Sequence, residues 1–323
     1  MSNQFERHGL TEKPFIQDLQ EGVLAPLLKR VKEDTSLDME IRQEYINIYY
    51  RGGNLLEVSK GSKGAGYSAF FNPEYVPAIR PLLPSSRISS VSDVEKWLAQ
   101  IPAIKNAMDL YFGKKRKAER ASQQMVVYEN NASPWAGGTD YFIVDIEYDN
   151  HIGARFDLVA LRWDWDATAR KLQRHYLPKL TVIEMKTGDG ALKGSAGLLE
   201  HYQQWEDFFA NPSHLDEFKQ EMLVVFKQKR KLGLIPALQK NPNDVIRVAD
   251  DVDVVFLLAN HDPASRKLIA AVDEIREKQR TKPPTFNIRF ATATFMGFGL
   301  YSQNMLSLDE FRQQLDRIAK KTA

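Results

Sequence analysis

The chain has 323 residues, 43% hydrophobic and 27% charged, with 44 Lys and Arg against 42 Asp and Glu. That composition suits a globular protein of one large domain or two modest ones, and its near-neutral balance supplies no overall basic field that would announce a nucleic-acid partner. Cysteine is absent, which excludes disulfides, thiolate zinc sites, iron–sulfur clusters and cysteine nucleophiles.

Met1 to Lys13 is polar and charged, without the apolar core of a signal peptide. No apolar run nears the ~20 residues a membrane helix needs, so no membrane partner is expected and the expected compartment is the cytoplasm. Residues 16–33 carry Ile16, Leu19, Val23, Leu24, Leu27, Leu28 and Val31 at helical spacing, with Pro26 marking a kink or a split. Tyr45 to Tyr50, the turn Arg51-Gly52-Gly53-Asn54 and Leu55 to Val58 read as a hairpin, the Gly-Gly pair supplying the positive φ of a tight turn. A second turn at 61–66 leads to a strand from Tyr67 to Phe71. Tyr45, Tyr49, Tyr50, Arg51, Lys60 and Lys63 offer either an aromatic-basic face for bases and phosphates or the aromatic core of a small antiparallel sheet. Pro73, Pro77, Pro81 and Pro84, followed by a serine-rich stretch, mark a linker.

Ser92 or Asp93 can cap a helix running through Leu98, and a long helical pattern follows from about 104 to 127. The basic run Lys114-Lys115-Arg116-Lys117 lies in the middle of it, as a solvated face or as a contact to a phosphate backbone. Residues 130–138 read as a loop. Strands are predicted from Tyr141 to Tyr148, Ala154 to Trp163 and Leu180 to Thr187. A helix from Gly190 to Ala210 is stopped by Pro212, and a helix over 214–232 ends in Lys227-Gln228-Lys229-Arg230-Lys231. Val254 to Leu258 is a continuous apolar strand, as for a position buried on both faces. Arg266 to Lys278 reads as a helix and Phe286 to Phe295 as a strand. Ser307 caps a last helix, with Glu310 completing a capping box.

The chemistry concentrates at Glu184-Met185-Lys186. An apolar strand carries two charges at its C-terminal end, and residues two apart on a strand share a face. The preceding strand holds a single acid, Asp157, in a largely apolar run. If the two strands are antiparallel neighbours, Asp157, Glu184 and Lys186 converge. Two carboxylates can seat a hard cation, while a lysine can steady an attacking water or neutralise charge on a phosphate. Glu217-Phe218-Lys219 repeats the spacing in a charged helix, where it reads as a solvated face. The histidines show no HxH or HExxH spacing, and no Walker-type phosphate loop is present.

At Phe156-Asp157 and Glu184-Met185-Lys186-Thr187-Gly188 the sequence resembles the PD-(D/E)XK nuclease superfamily, the restriction-endonuclease-like and RecB-like nucleases. No proline precedes Asp157. The order helix, three strands, helix, strand matches over roughly 104–260. The resemblance implies an α/β, restriction-endonuclease-like mixed β-sheet flanked by helices. It occupies 101–323, after an N-terminal α+β region, 1–100, that holds a small antiparallel sheet and serves a substrate or partner.

The resemblance further implies a metal-dependent nuclease acting on DNA rather than RNA, in restriction, repair or phage defence, with homodimers among the expected assemblies. Asp157 and Glu184 would hold Mg²⁺ or Mn²⁺, with the carbonyl of Met185 and with Glu119 from the helix before the first strand. Lys186 would orient the attacking water. Lys114, Lys115, Arg116, Lys117, Lys193, Lys229 and Arg230 would contact nucleic acid. Asp145 and Glu147 share a face of the first strand, as acids supporting the site or on a solvated sheet face. Tyr202 and Gln203 loosely match the glutamine and tyrosine that RecB-like members carry on the following helix. His201 and Gln204 have no comparable signal. A catalytically inactive nucleic-acid-binding or scaffold protein on the same fold is the competing expectation.

Overall fold

The computed structural model describes residues 8–61, 66–75, 83–115, 118–149, 155–164, 177–194, 197–239, 241, 244–262, 264–293 and 297–322. The chain is α/β, with two five-stranded sheets.

The first sheet is an antiparallel meander of β1 (Leu37–Ile41), β2 (Tyr45–Tyr50), β3 (Gly53–Lys60), β4 (Tyr67–Phe70) and β5 (Arg87–Ile88), in that order. Two helices precede it, α1 (Gln17–Gln20) and α2 (Ala25–Glu33). The break between them falls at 21–24, and Pro26 sits in the first turn of α2, where its missing N–H costs nothing.

The β2–β3 turn has two central residues, Arg51 at φ 49° and Gly52 at φ 72°, the signature of a type I′ hairpin. The positive angles therefore fall on Arg51 and Gly52 rather than on the Gly-Gly pair. The three tyrosines do not form one basic face: Tyr49 is buried, Tyr50 donates to Asp109, and Lys60 pairs with Glu44. Lys63 lies outside the described residues.

Two long helices connect the sheets. In α3 (Val91–Lys114) the Ser90 hydroxyl accepts from the Asp93 N–H. This helix runs unbroken through Pro102 because Trp97, Ile101, Ile104 and Met108 bury one continuous stripe on both sides of it. Residue 100, the expected domain boundary, lies inside α3. The next helix, α4 (Ala118–Asn131), starts afresh. α3 ends at Lys114 with Lys115 as its C-cap, so these two lysines lie at a helix end rather than in the middle of one helix; Arg116 and Lys117 lie outside the described residues.

The second sheet has the order β10-β9-β8-β7-β6, built from β6 (Tyr141–Asp149), β7 (Arg155–Arg162), β8 (Lys179–Thr187), β9 (Asp253–Ala259) and β10 (Asn287–Ala293). β6, β7 and β8 run antiparallel, and β8, β9 and β10 parallel. Between β8 and β9 come α5 (Leu198–Phe209) and α6 (Pro212–Leu232). Pro212 opens α6 rather than merely ending α5, with Asn211 as its cap. α7 (Arg266–Thr281) links β9 to β10, and α8 (Leu308–Thr322) closes the chain with the expected capping box: the Ser307 N–H donates to Glu310, and the Glu310 N–H to the Ser307 hydroxyl.

Alternation along β8 sorts its side chains. Leu180 and Val182 join the large cluster with α5, α6 and α7, whereas Ile183 and Met185 join Val126 and Val127 of α4 on the other face. The same buried cluster takes in residues of the first sheet and of α3, among them Leu56 and Trp97. Among the described residues no helix is long and apolar enough to cross a membrane.

A candidate metal-dependent centre where two strands part

β7 and β8 pair from Arg162↔Lys179 to Leu158↔Ile183. Continued by one residue, that register sets Asp157 opposite Glu184, but there the ladder ends. The Asp157 carboxylate instead accepts the Met185 N–H at 2.8 Å. This bond fixes the acid across the gap between the strands. Lys186 shares its face of β8 with Glu184 and donates to Glu184 Oε1 at 2.6 Å; both side chains are buried. The three residues named by the E-x-K pattern and the lone acid are thus brought together. Met185 contributes its amide to Asp157 and its side chain to the core of the α4 face.

Glu119 lies in the first turn of α4. Burial raises its carboxyl above the usual range; Lys186 opposes the shift, and the charges of Glu184 and Glu147 reinforce it. Asp157 is raised well above its ordinary value, chiefly by burial and then by the charge of Glu184. Three carboxylates therefore share one neighbourhood with a single lysine, and their mutual repulsion is what a hard divalent cation would relieve. Among the described residues, no three His, Asp or Glu side chains stand in a ready coordination shell. The donors fit such a cation as a loose set: Asp157 and Glu184 with Glu119 near, the remaining positions falling to water.

His201 of α5 was not picked out by the sequence. Its Nε2 lies 2.9 Å from Glu184 Oε1 and 3.1 Å from Lys186 Nζ, while its buried Nδ1 has no hydrogen-bond partner. It follows Leu198 by three residues, on the flank of the apolar stripe that faces β8. Tyr202 turns the other way, into the core, with its ring edge on Phe286.

The remaining expectations divide. Asp145 lies neither at the site nor on a solvated face: it is buried and ion-paired with Arg42, beside His8. Glu147 receives Arg120 at 2.8 Å and belongs to the rim around Glu119. Lys114 and Lys115 are exposed at the C-terminal end of α3; Arg116 and Lys117 lie outside the described residues. Lys193 is exposed and pairs with Glu274.

Lys229 is not available to nucleic acid. It is 1% exposed and donates to the fully buried Glu40 at 2.7 Å. Arg230 donates to the Asn241 carbonyl and pairs with Asp244. The helical spacing of α6 turns Lys229 inward onto the stripe of Met222, Val225 and Phe226.

No protein-family model, curated protein or solved structure matches this chain.

Proposed function

We propose that this chain is a divalent-metal-dependent nuclease of the restriction-endonuclease-like class, hydrolysing phosphodiester bonds in DNA rather than RNA. One observation carries the reading: Asp157, Glu184 and Lys186 converge where β7 and β8 separate, with a net excess of negative charge. The sheet supports it too, since three antiparallel strands followed by a parallel one, with helices before and between, is the arrangement expected from the E-x-K resemblance.

Asp157 and Glu184 would hold Mg²⁺ or Mn²⁺, with Glu119 and the Met185 carbonyl as further oxygen donors. The cation, when bound, neutralises phosphate charge and acidifies a water. Lys186 lies between Glu184 and His201, bonded to the first and close to the second. Released from Glu184, its ammonium would orient the attacking water and offset charge building on the phosphoryl oxygens. The Met185 N–H holds Asp157 in place throughout, and His201 limits where Lys186 and Glu184 can go. Lys114 and Lys115 would meet the phosphate backbone beside the site, with an affinity that falls as salt rises. Arg116 and Lys117 continue that basic run.

The competing reading, a nucleic-acid-binding or scaffold protein without catalysis, draws on the direct pairing of Glu184 with Lys186, which needs no cation. Cleavage of linear and circular DNA with Mg²⁺, Mn²⁺ or EDTA separates the two. The expected result is cation-dependent cleavage that falls by roughly a hundredfold or more in Lys186→Ala and Asp157→Asn, the usual scale for removing a group that acts only in the transition state. Equal cleavage by the variants and the parent would refute the assignment, whereas DNA binding without cleavage by the parent would favour the scaffold.

A further inference from the structure

The tip of the β2–β3 hairpin packs against the last turns of α3 and the first turn of α4. A Cβ on Gly52 would stand 2.3 Å from the Arg120 carbonyl carbon, and one on Gly53 would stand 2.5 Å from the Phe112 ring. Both are closer than real Cβ contacts, so backbone fits there only because side chains are absent. Gln124, buried on α4, reads the tip with both ends of its amide. Its Oε1 accepts the Gly52 N–H at 2.8 Å, and its Nε2 donates to the Tyr49 carbonyl at 3.2 Å and the Ser36 carbonyl at 2.9 Å. On α3, Arg51 and Tyr50 both bond Asp109, at 2.7 and 3.0 Å. Arg51 holds a positive φ that disfavours residues with a Cβ. An unfavourable angle, two close-approach glycines and a bidentate amide all meet at one contact.

That contact lies on the helix turn that enters the site. Arg120, against which Gly52 packs, follows Glu119 and pairs with Glu147. We infer that the hairpin tip of the N-terminal sheet is a positioning element, with Gln124 as its positioning residue, which fixes the first turn of α4 and so holds Glu119 over Glu184 and Lys186. This gives the N-terminal region a task inside the reaction centre rather than as an appended binding module. The inference rests on the nuclease reading for its catalytic consequence, but its structural half does not.

The test uses the full chain, with Gly52→Ala altering the tip and Gln124→Ala the helix. Amide hydrogen exchange reports the first turn of α4 directly. Exchange of residues 122–125, whose amides bond the carbonyls of the first turn, is expected to quicken by about tenfold or more in both variants, while β8 and β9 amides stay protected, because opening is local. Unchanged exchange at 122–125 overturns the inference, whatever the activity. In the cleavage assay, each variant is expected to lower kcat by about tenfold with KM within about twofold, the pattern of a lost transition-state interaction. In a Glu119→Gln background the same substitutions should cost little more, since coupled residues are not additive. Equal losses in both backgrounds would mean that the tip only supports the fold, and would also overturn the inference. Absence of metal-dependent cleavage in the parent would sink the nuclease reading alone, leaving exchange to decide the positioning role. If Gln124→Ala fails to fold, Gly52→Ala and Gln124→Glu, which keeps the acceptor for the Gly52 N–H, carry the same measurements.

Discussion

Lys229→Met separates a structural lysine from a substrate-binding one. Lys229 and Glu40 face each other at 2.7 Å with side chains 1% and 0% exposed. At that separation the gross attraction is roughly 6 kcal/mol at an effective dielectric of about 20, most of it offset by the cost of desolvating both charges. Removing one partner of such a pair typically costs about 3–5 kcal/mol. Arg42 remains 3.9 Å from the other Glu40 oxygen and recovers part of the loss, so about 3 kcal/mol is expected near neutral pH.

The sign with pH follows from Glu40. Burial holds its carboxyl well above the usual range, against the opposing pull of Lys229 and Arg42. A raised carboxyl keeps its proton to higher pH in the folded state than in the unfolded one. Its contribution to stability therefore falls as pH climbs above about 4.5. Without Lys229 the carboxyl rises further, so the penalty should be small in mild acid, where Glu40 is neutral, and larger at pH 8 than at pH 6. Urea unfolding followed by the fluorescence of buried Trp97, Trp163 and Trp205 measures it, and adding Glu40→Gln should restore at least half of the loss. DNA affinity, read by fluorescence anisotropy at fixed salt, should be unchanged while the variant is folded. A cost below about 1 kcal/mol, or weakened DNA binding at parental stability, would refute the assignment of Lys229 to the buried pair.

Two further outcomes are expected. His201→Ala should cut metal-dependent cleavage by roughly tenfold or more with little change in melting temperature, and His201→Gln should recover part of it, because an amide can still bond Glu184 and Lys186; cleavage at the parental rate in both variants would show that the contact is not used. Asp34 bridges the end of α2 to Lys105 of α3 at 2.6 Å; burial alone would raise its carboxyl, but the bonds from Lys105 and Ser36 outweigh burial and hold it down to about 2. A depressed carboxyl stabilises the fold above its unfolded value of 3.8 and loses that contribution as pH falls toward about 2. Asp34→Asn should therefore cost about 1 kcal/mol at pH 7, less than the full shift implies because the pair is partly solvated, and the difference in melting temperature from the parent should shrink below pH 4. A difference that is flat from pH 7 to pH 3 would contradict this.

The strands of the second sheet could be read from the sequence because burial on both faces leaves runs such as Val254 to Leu258 with almost no polar residue. β1 could not. Its sequence, Leu-Asp-Met-Glu-Ile, carries an acid at a fully buried position, and the partner that makes this tolerable, Lys229, lies 189 residues away. The end of α3 at Lys114 was hidden for a related reason: helical spacing continues past it, and the hairpin tip packed against Phe112 and Arg120 comes from a distant part of the chain. Asp157, Glu184 and Lys186 stood out because charges in apolar strands need a partner or a purpose. His201 did not, since its contacts arise only when α5 is laid on the sheet.

Lys186 and Lys229 show what neighbouring residues alone leave undecided. Both are lysines held by a buried glutamate, at 2.6 and 2.7 Å, and pairing alone would assign them the same role. The difference is in their surroundings. Glu40 and Lys229 are buried among β1, β6 and α6, with Arg42 and Asp145 beside them and His8 and Glu221 next to Asp145, so a change in either is felt mainly as stability. Glu184 and Lys186 lie where β7 has stopped pairing with β8, beside a partly exposed Asp157 and Glu119, and the acids there outnumber the lysine. On the proposed nuclease reading, a pair with surplus negative charge beside it would exchange partners when a cation and a phosphate arrive. A pair enclosed like Lys229 and Glu40 cannot do so without opening the fold, and that contrast separates the structural role of Lys229 from the catalytic role proposed for Lys186.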